Sequence, residues 1–109
     1  GDGGRVGGLV MDANQPRAGA VVVLVPAEDS GTLGPSTRFT MTNLQGEFEI
    51  RGVAPGQYVA VAFDDPKWER LRDAAFLKSL TADGAELTVS SGSRQDIRLN
   101  RSPKQEAGK

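Results

Sequence analysis

Between Thr42 and Phe63 the apolar and polar side chains alternate with a period of two, broken twice by turn residues. Phe48 and Ile50 fall on one side while Glu47, Glu49 and Arg51 fall on the other, the pattern of a half-buried strand. Asn43-Leu44-Gln45-Gly46 precedes this strand and has the composition of a tight reversal, with Gly46 able to take positive φ. Val53-Ala54-Pro55-Gly56 turns the chain again, and Tyr58 to Phe63 supplies the next strand. Two strands punctuated in this way predict an antiparallel, all-β module.

The same reading extends along the chain. Arg5–Asp12 is a first strand, in which Gly7 and Gly8 interrupt the alternation and predict a bulge or a close backbone approach. Residues 13–17 are turn chemistry. Ala20–Pro26 is a continuous β-branched run, as expected of a strand buried on both faces or in a sandwich core. Residues 27–35 form a polar loop long enough to cross between sheets, followed by a strand over Thr37–Thr42. Asp65 and Pro66 suit the cap and first turn of a helix, and Trp68, Leu71, Ala75 and Leu80 recur at helical spacing beyond them, with Phe76 and Leu77 beside the stripe. Residues 82–84 end that helix. Glu86–Ser90 and Arg94–Leu99, joined by Ser91-Gly92-Ser93, predict a closing hairpin. The sum is an all-β, seven-stranded antiparallel β-sandwich with one short helix inserted before the last two strands. Open edges are expected at the first strand and at Thr37–Thr42, where strand addition could occur.

Composition narrows the chemistry. The 109 residues suffice for one core, and 14 glycines with 6 prolines suit a loop-rich β fold. Residues 1–4 read as linker, 5–100 as the domain and 101–109 as a flexible polar tail. No signal peptide is read at the start, so the chain reads as a domain cut from something longer. A net charge of −1 gives no reason to expect nucleic acid as a partner, and no apolar run is long enough for membrane insertion. With no Cys and no His, disulfides, thiol chemistry, nucleophilic triads and the commonest zinc ligands are unavailable. The expectation is a protein that is not an enzyme and holds no cofactor.

The remaining polar candidates are few. Calcium could be held by Asp12, Asp64 and Asp65, with Asn14, Glu28 and Asp29 also at strand ends, although no spaced loop motif fixes such a site. Glu47 and Glu49 share a strand face and are expected to solubilise it. For carbohydrate, Trp68 and Tyr58 are the aromatic candidates, each with a structural alternative. Trp68 would cover the sandwich from the helix, and the Tyr58 hydroxyl would tie down a loop. Lys67, Lys78, Lys104 and Lys109 lie on the expected helix or in the tail, so no strand lysine is placed for an intramolecular isopeptide bond.

Residues 8–25 (GLVMDANQPRAGAVVVLV) and 42–58 (TNLQGEFEIRGVAPGQY) resemble the carboxypeptidase regulatory-like domain family, which has a transthyretin-like (prealbumin-like) β-sandwich. Residues 64–100 are similar to bacterial members with an insertion before the last two strands. The shared positions are turn and core residues, so the resemblance speaks to fold and hardly to chemistry. It implies a non-catalytic accessory domain of a larger secreted, periplasmic or outer-membrane-associated protein. Such a domain serves in spacing or protein binding, with other domains of the same polypeptide or a separate protein as partners. A carbohydrate-binding module is the alternative. A small-molecule hydrolase of transthyretin-like fold is the second alternative, disfavoured because hydrolytic members of that fold use histidines.

Overall fold

The computed structural model describes residues 3–29, 36–64, 73–82 and 84–101. Among the described residues eight strands form two sheets: β1 (Gly4–Asp12), β2 (Gln15–Pro16), β3 (Val21–Pro26), β4 (Arg38–Met41), β5 (Glu47–Val53), β6 (Gly56–Phe63), β7 (Ala85–Val89) and β8 (Arg94–Asn100). In the first sheet β1 lies between β5 and β8, with β2 paired to the end of β1; the second runs β4-β3-β6-β7. The fold is thus an all-β sandwich with one short helix, α1 (Ala74–Ala82), preceding the last two strands.

Several details depart from the sequence expectation. The extra strand is β2, which closes a hairpin on β1 through Ala13 and Asn14, both at positive φ (52° and 67°). Residues 91–93 do not close a hairpin. They carry the chain from one sheet to the other, since β7 pairs with β6 whereas β8 pairs with β1. That last pairing is parallel, from Arg5↔Arg94 to Met11↔Asn100, while all the others are antiparallel. Consequently β1 is an interior strand and not an edge. β4 is an edge, as expected. β3 is followed by a 3-10 turn at Ala27–Asp29, and the strands on either side of the polar loop, β3 and β4, are neighbours in one sheet and not in opposite sheets.

Two packed layers account for the β-branched run. Val22 and Leu24 face the inter-sheet core with Val6, Val10, Phe48, Ile50 and Leu99. Their neighbours Val21, Val23 and Val25 face outward, where Leu77 and Leu80 of α1 cover them together with Val59, Val61 and Phe63. Both faces of β3 are therefore dry. Asp73 caps α1: its carboxylate accepts from the amides of Ala75 (2.9 Å) and Phe76 (3.3 Å). The cap and first turn read at Asp65 and Pro66 lie outside the described residues, as does Trp68. The buried stripe of the described helix is Leu77 and Leu80, and Ala75 is exposed.

The turns hold as their residues require. Asn43 accepts from the amides of Gln45 and Glu47 (both 2.9 Å), and Gly46 sits at φ 78°. Buried Thr42 accepts from the Ala20 amide (2.8 Å) and donates to the Arg17 carbonyl (2.6 Å), joining β3's entry to the β2 exit. Gly8 is the tightest point. At φ 155°, a Cβ there would lie 1.8 Å from the Ile97 carbonyl oxygen of the adjacent β8.

Gly8→Ala is expected to cost about 3 kcal/mol or more, because backbone must move to admit the methyl group. Gly19→Ala, at φ 72° with open space around it, should cost only about 1 kcal/mol of backbone strain. Urea denaturation of the two variants checks this; equal losses would show that β1 and β8 are not packed as described.

Candidate functional site

Ion pairs gather at one end of the sandwich, where β1, β2, β6 and β8 terminate. Asp12 ends β1, Arg17 follows β2, Asp64 follows β6 and Arg101 follows β8. The Arg17 guanidinium grips Asp64 with two bonds, Nε to Oδ1 at 3.0 Å and Nη2 to Oδ2 at 2.8 Å. Arg101 Nε lies 3.1 Å from Asp12 Oδ2 and 3.5 Å from Asp64 Oδ2, so it bridges the two carboxylates. Its side chain is only 15% exposed, which makes this a partly desolvated junction between the sheets.

The structure therefore brings Asp12 and Asp64 of the calcium reading together, with guanidinium groups between and beside them. A divalent cation entering here would meet two fixed positive charges and compete with Arg17 and Arg101 for the same oxygens. Asp65 lies outside the described residues. Among the described residues, no group of three or more acidic side chains is placed to hold a metal ion.

A second polar array covers the outer face of the first sheet. Gly7 is flanked by Glu49 on β5 and Asp96 on β8. Its missing side chain leaves room for Arg5 to fold over the strand: a Cβ on Gly7 would lie 2.7 Å from Arg5 Nη2. From there Arg5 pairs with Glu49 and, at 3.3 Å, with Asp96. Glu49 also accepts from Arg51 Nε at 3.1 Å. The hydrogen bond from Arg5 holds the Glu49 carboxyl below its ordinary value of 4.5, and the same bond raises the Arg5 guanidinium. An open groove of about 820 Å³ runs over this face, lined among others by Leu9, Glu47, Glu49, Asp96 and Arg98. Its walls carry both charge signs, so it offers no single-sign field to an ionic ligand.

Tyr58 is a core residue. It is 4% exposed, and its hydroxyl donates to the Ala54 carbonyl at 2.7 Å, which ties down the turn between β5 and β6. Burial pushes its pKa above the ordinary 10.0. A ring so placed presents no face on which a sugar could stack. Trp68, the other aromatic candidate, lies outside the described residues. Arg38 was not singled out by the sequence. It donates from edge strand β4 to the carbonyls of Arg51 (2.9 Å) and Gly52 (3.0 Å), linking the two sheets along one side. No local motif marks such a role, which depends on bringing β4 beside β5.

No protein-family model matches this sequence, and no curated protein does. Solved structures are similar in fold. BcpA, the major pilin subunit of Bacillus cereus, aligns over 92% of this chain with a TM-score of 0.57 and 15% identity, and the chain spans 30% of that pilin chain. The dioxygenase domain of a dioxygenase and carbohydrate-binding protein fusion from the cellulolytic bacterium Streptomyces sp. SirexAA-E aligns with a TM-score of 0.47 and 15% identity, covering 94% of this chain and 82% of that one. Catechol 1,2-dioxygenase from Pseudomonas arvilla C-1 aligns with a TM-score of 0.44 and 17% identity, covering 94% and 53%. The last two are too distant to carry an argument. The first supports the β-sandwich and nothing finer.

The Glu49 pairing makes a pH-dependent prediction. Its folded carboxyl titrates below the unfolded one, so its stabilisation is present above the unfolded value and fades as pH falls through the folded value. Glu49→Gln should lower the melting temperature near neutral pH, and the gap to the parent should close as the solution is acidified below about pH 4.5. A gap unchanged down to the lowest pH at which the fold survives would contradict the pairing.

Proposed function

We propose that this chain is a non-catalytic accessory β-sandwich module of a larger bacterial secreted or cell-envelope protein, of the carboxypeptidase regulatory-like kind, and that it provides structure and spacing between its neighbours. The observation that carries this reading is how the reactive polar groups are engaged. Asp12, Asp64 and Glu49 are held by guanidinium groups. Asn43, Thr42 and Asp73 bond the backbone of turns, strand entries and a helix cap. Tyr58 bonds a turn carbonyl. Side chains occupied in this way stabilise a scaffold, and none stands poised as a base or nucleophile.

Protein docking is the second reading, favoured by edge strand β4. Phe39 and Met41 stand two apart on that strand and are 42% and 54% exposed. An extended segment of a partner could add to this edge and cover both side chains.

The spacing role is tested by exchange in the full-length protein. An unrelated β-sandwich with matching separation of its ends, put in place of residues 4–101, should preserve the parent's function. A Gly/Ser linker of the same residue number should not, because it behaves as a coil. Loss of function with the substitute sandwich, or substrate turnover by the purified chain, would overturn the reading.

A further inference from the structure

We propose that this module is a mechanical clamp: it bears tension applied along the polypeptide, and the parallel β1–β8 pair is the element that resists. The first and last strands of the sandwich lie side by side and run in the same direction through seven register pairs, Arg5↔Arg94 to Met11↔Asn100. Chain entering at the start of β1 and leaving at the end of β8 therefore pulls on opposite ends of the paired segment.

The direction of pull decides how such a pair fails. Tension between those two ends slides one strand along the other, so all the interstrand hydrogen bonds are strained together. Tension between like ends opens the ladder one bond at a time. Both limits of this ladder are closed, by Arg5 N–H to the Ser93 carbonyl (2.8 Å) and by Arg101 N–H to the Met11 carbonyl (2.9 Å).

The surroundings reinforce the pair. β5 holds β1 from its other side, so β1 cannot peel away without a second ladder breaking. Val6, Val10 and Leu99 lie in the dry inter-sheet core, which shields the ladder from competing water. The Gly8 approach to the Ile97 backbone leaves no side chain between the strands. Two ion pairs cross the same seam, Arg5 with Asp96 near one end and Arg101 with Asp12 at the other. Arg101 also reaches Asp64, anchoring the seam to the second sheet.

That tension reaches the module rests on the accessory-module reading, whereas the resistance of the β1–β8 pair belongs to the sandwich alone, so the pulling experiment can fail while the spacing role stands. The native sequence has no cysteine, so engineered thiols give unambiguous handles. Optical-tweezers unfolding compares the full chain pulled through Gly1→Cys and Lys109→Cys with the full chain pulled through Gly1→Cys and Arg94→Cys. Arg94 is exposed at the start of β8 and lies opposite Arg5, so the second geometry opens the pair from one end. Asp96→Cys, also exposed, serves as a second such handle should Arg94→Cys fail to fold, compared with an end-to-end pull of the chain carrying Asp96→Ser so that both lack the Arg5 ion pair with Asp96. At equal loading rate the end-to-end geometry should unfold at several-fold higher force than the opening geometry. Equal forces, or a lower force end to end, would overturn the clamp.

Discussion

The structure depends on how closely β8 can lie against β1. The first strand is hydrogen-bonded on both sides, antiparallel to β5 and parallel to β8, and it supplies Val6 and Val10 to the core between the sheets. Gly8 permits the approach, since any Cβ there would collide with the backbone of Ile97. Gly7 has a complementary role on the outer face, where its missing side chain admits the Arg5 head between Glu49 and Asp96. Two adjacent glycines thus pack one strand against backbone on one side and an ion pair on the other.

Burial on two layers supplies most of the cohesion. Each fully buried Val or Leu removes apolar surface worth about 1.5–3 kcal/mol from water, and β3 alternates such residues between the inter-sheet core and the layer under α1. The ion pairs at the sandwich end lie nearer to solvent and contribute less to stability than to geometry. Arg101 and Arg17 fix where the ends of β1, β6 and β8 meet. No buried side-chain nitrogen or oxygen lacks a partner among the described residues.

Much of this was legible in local pattern. The alternation of Glu47 to Arg51 placed Phe48 and Ile50 in the core, the Asn43–Gly46 reversal carried its own turn chemistry, and the unbroken apolar run of β3 marked a strand deep in the sandwich or covered on both faces, of which the structure shows the second. What failed was partnership between distant segments. Ser91-Gly92-Ser93 is as good a hairpin loop as a sheet crossover, because turn residues specify a change of direction and not which strand is waiting beyond it. The close backbone approach expected at Gly7 and Gly8 is present, where Gly8 meets Ile97, but the open edge expected of the first strand is absent because β1 lies between two neighbours. Helical spacing put Ala75 and Leu80 on one stripe with Leu77 beside it; packing on β3 and β6 buries Leu80 and Leu77 and leaves Ala75 exposed. At the candidate site, Asp12 and Asp64 suggest ligands because acidic residues at strand ends are visible in sequence. The arginines that occupy them come from positions 17 and 101, and only the fold brings these together.

The central claim is that β1 is the strand on which both flanks of the first sheet rely, so that it opens only when the whole sandwich opens. Native-state amide hydrogen exchange measures this residue by residue. The account predicts that the amides of Val6 to Val10 exchange with the same free energy and denaturant dependence as those of Val22 to Leu24, which lie in the middle of the other sheet. Release of the β1 amides through a cheaper, local opening while β3 stays protected would contradict it.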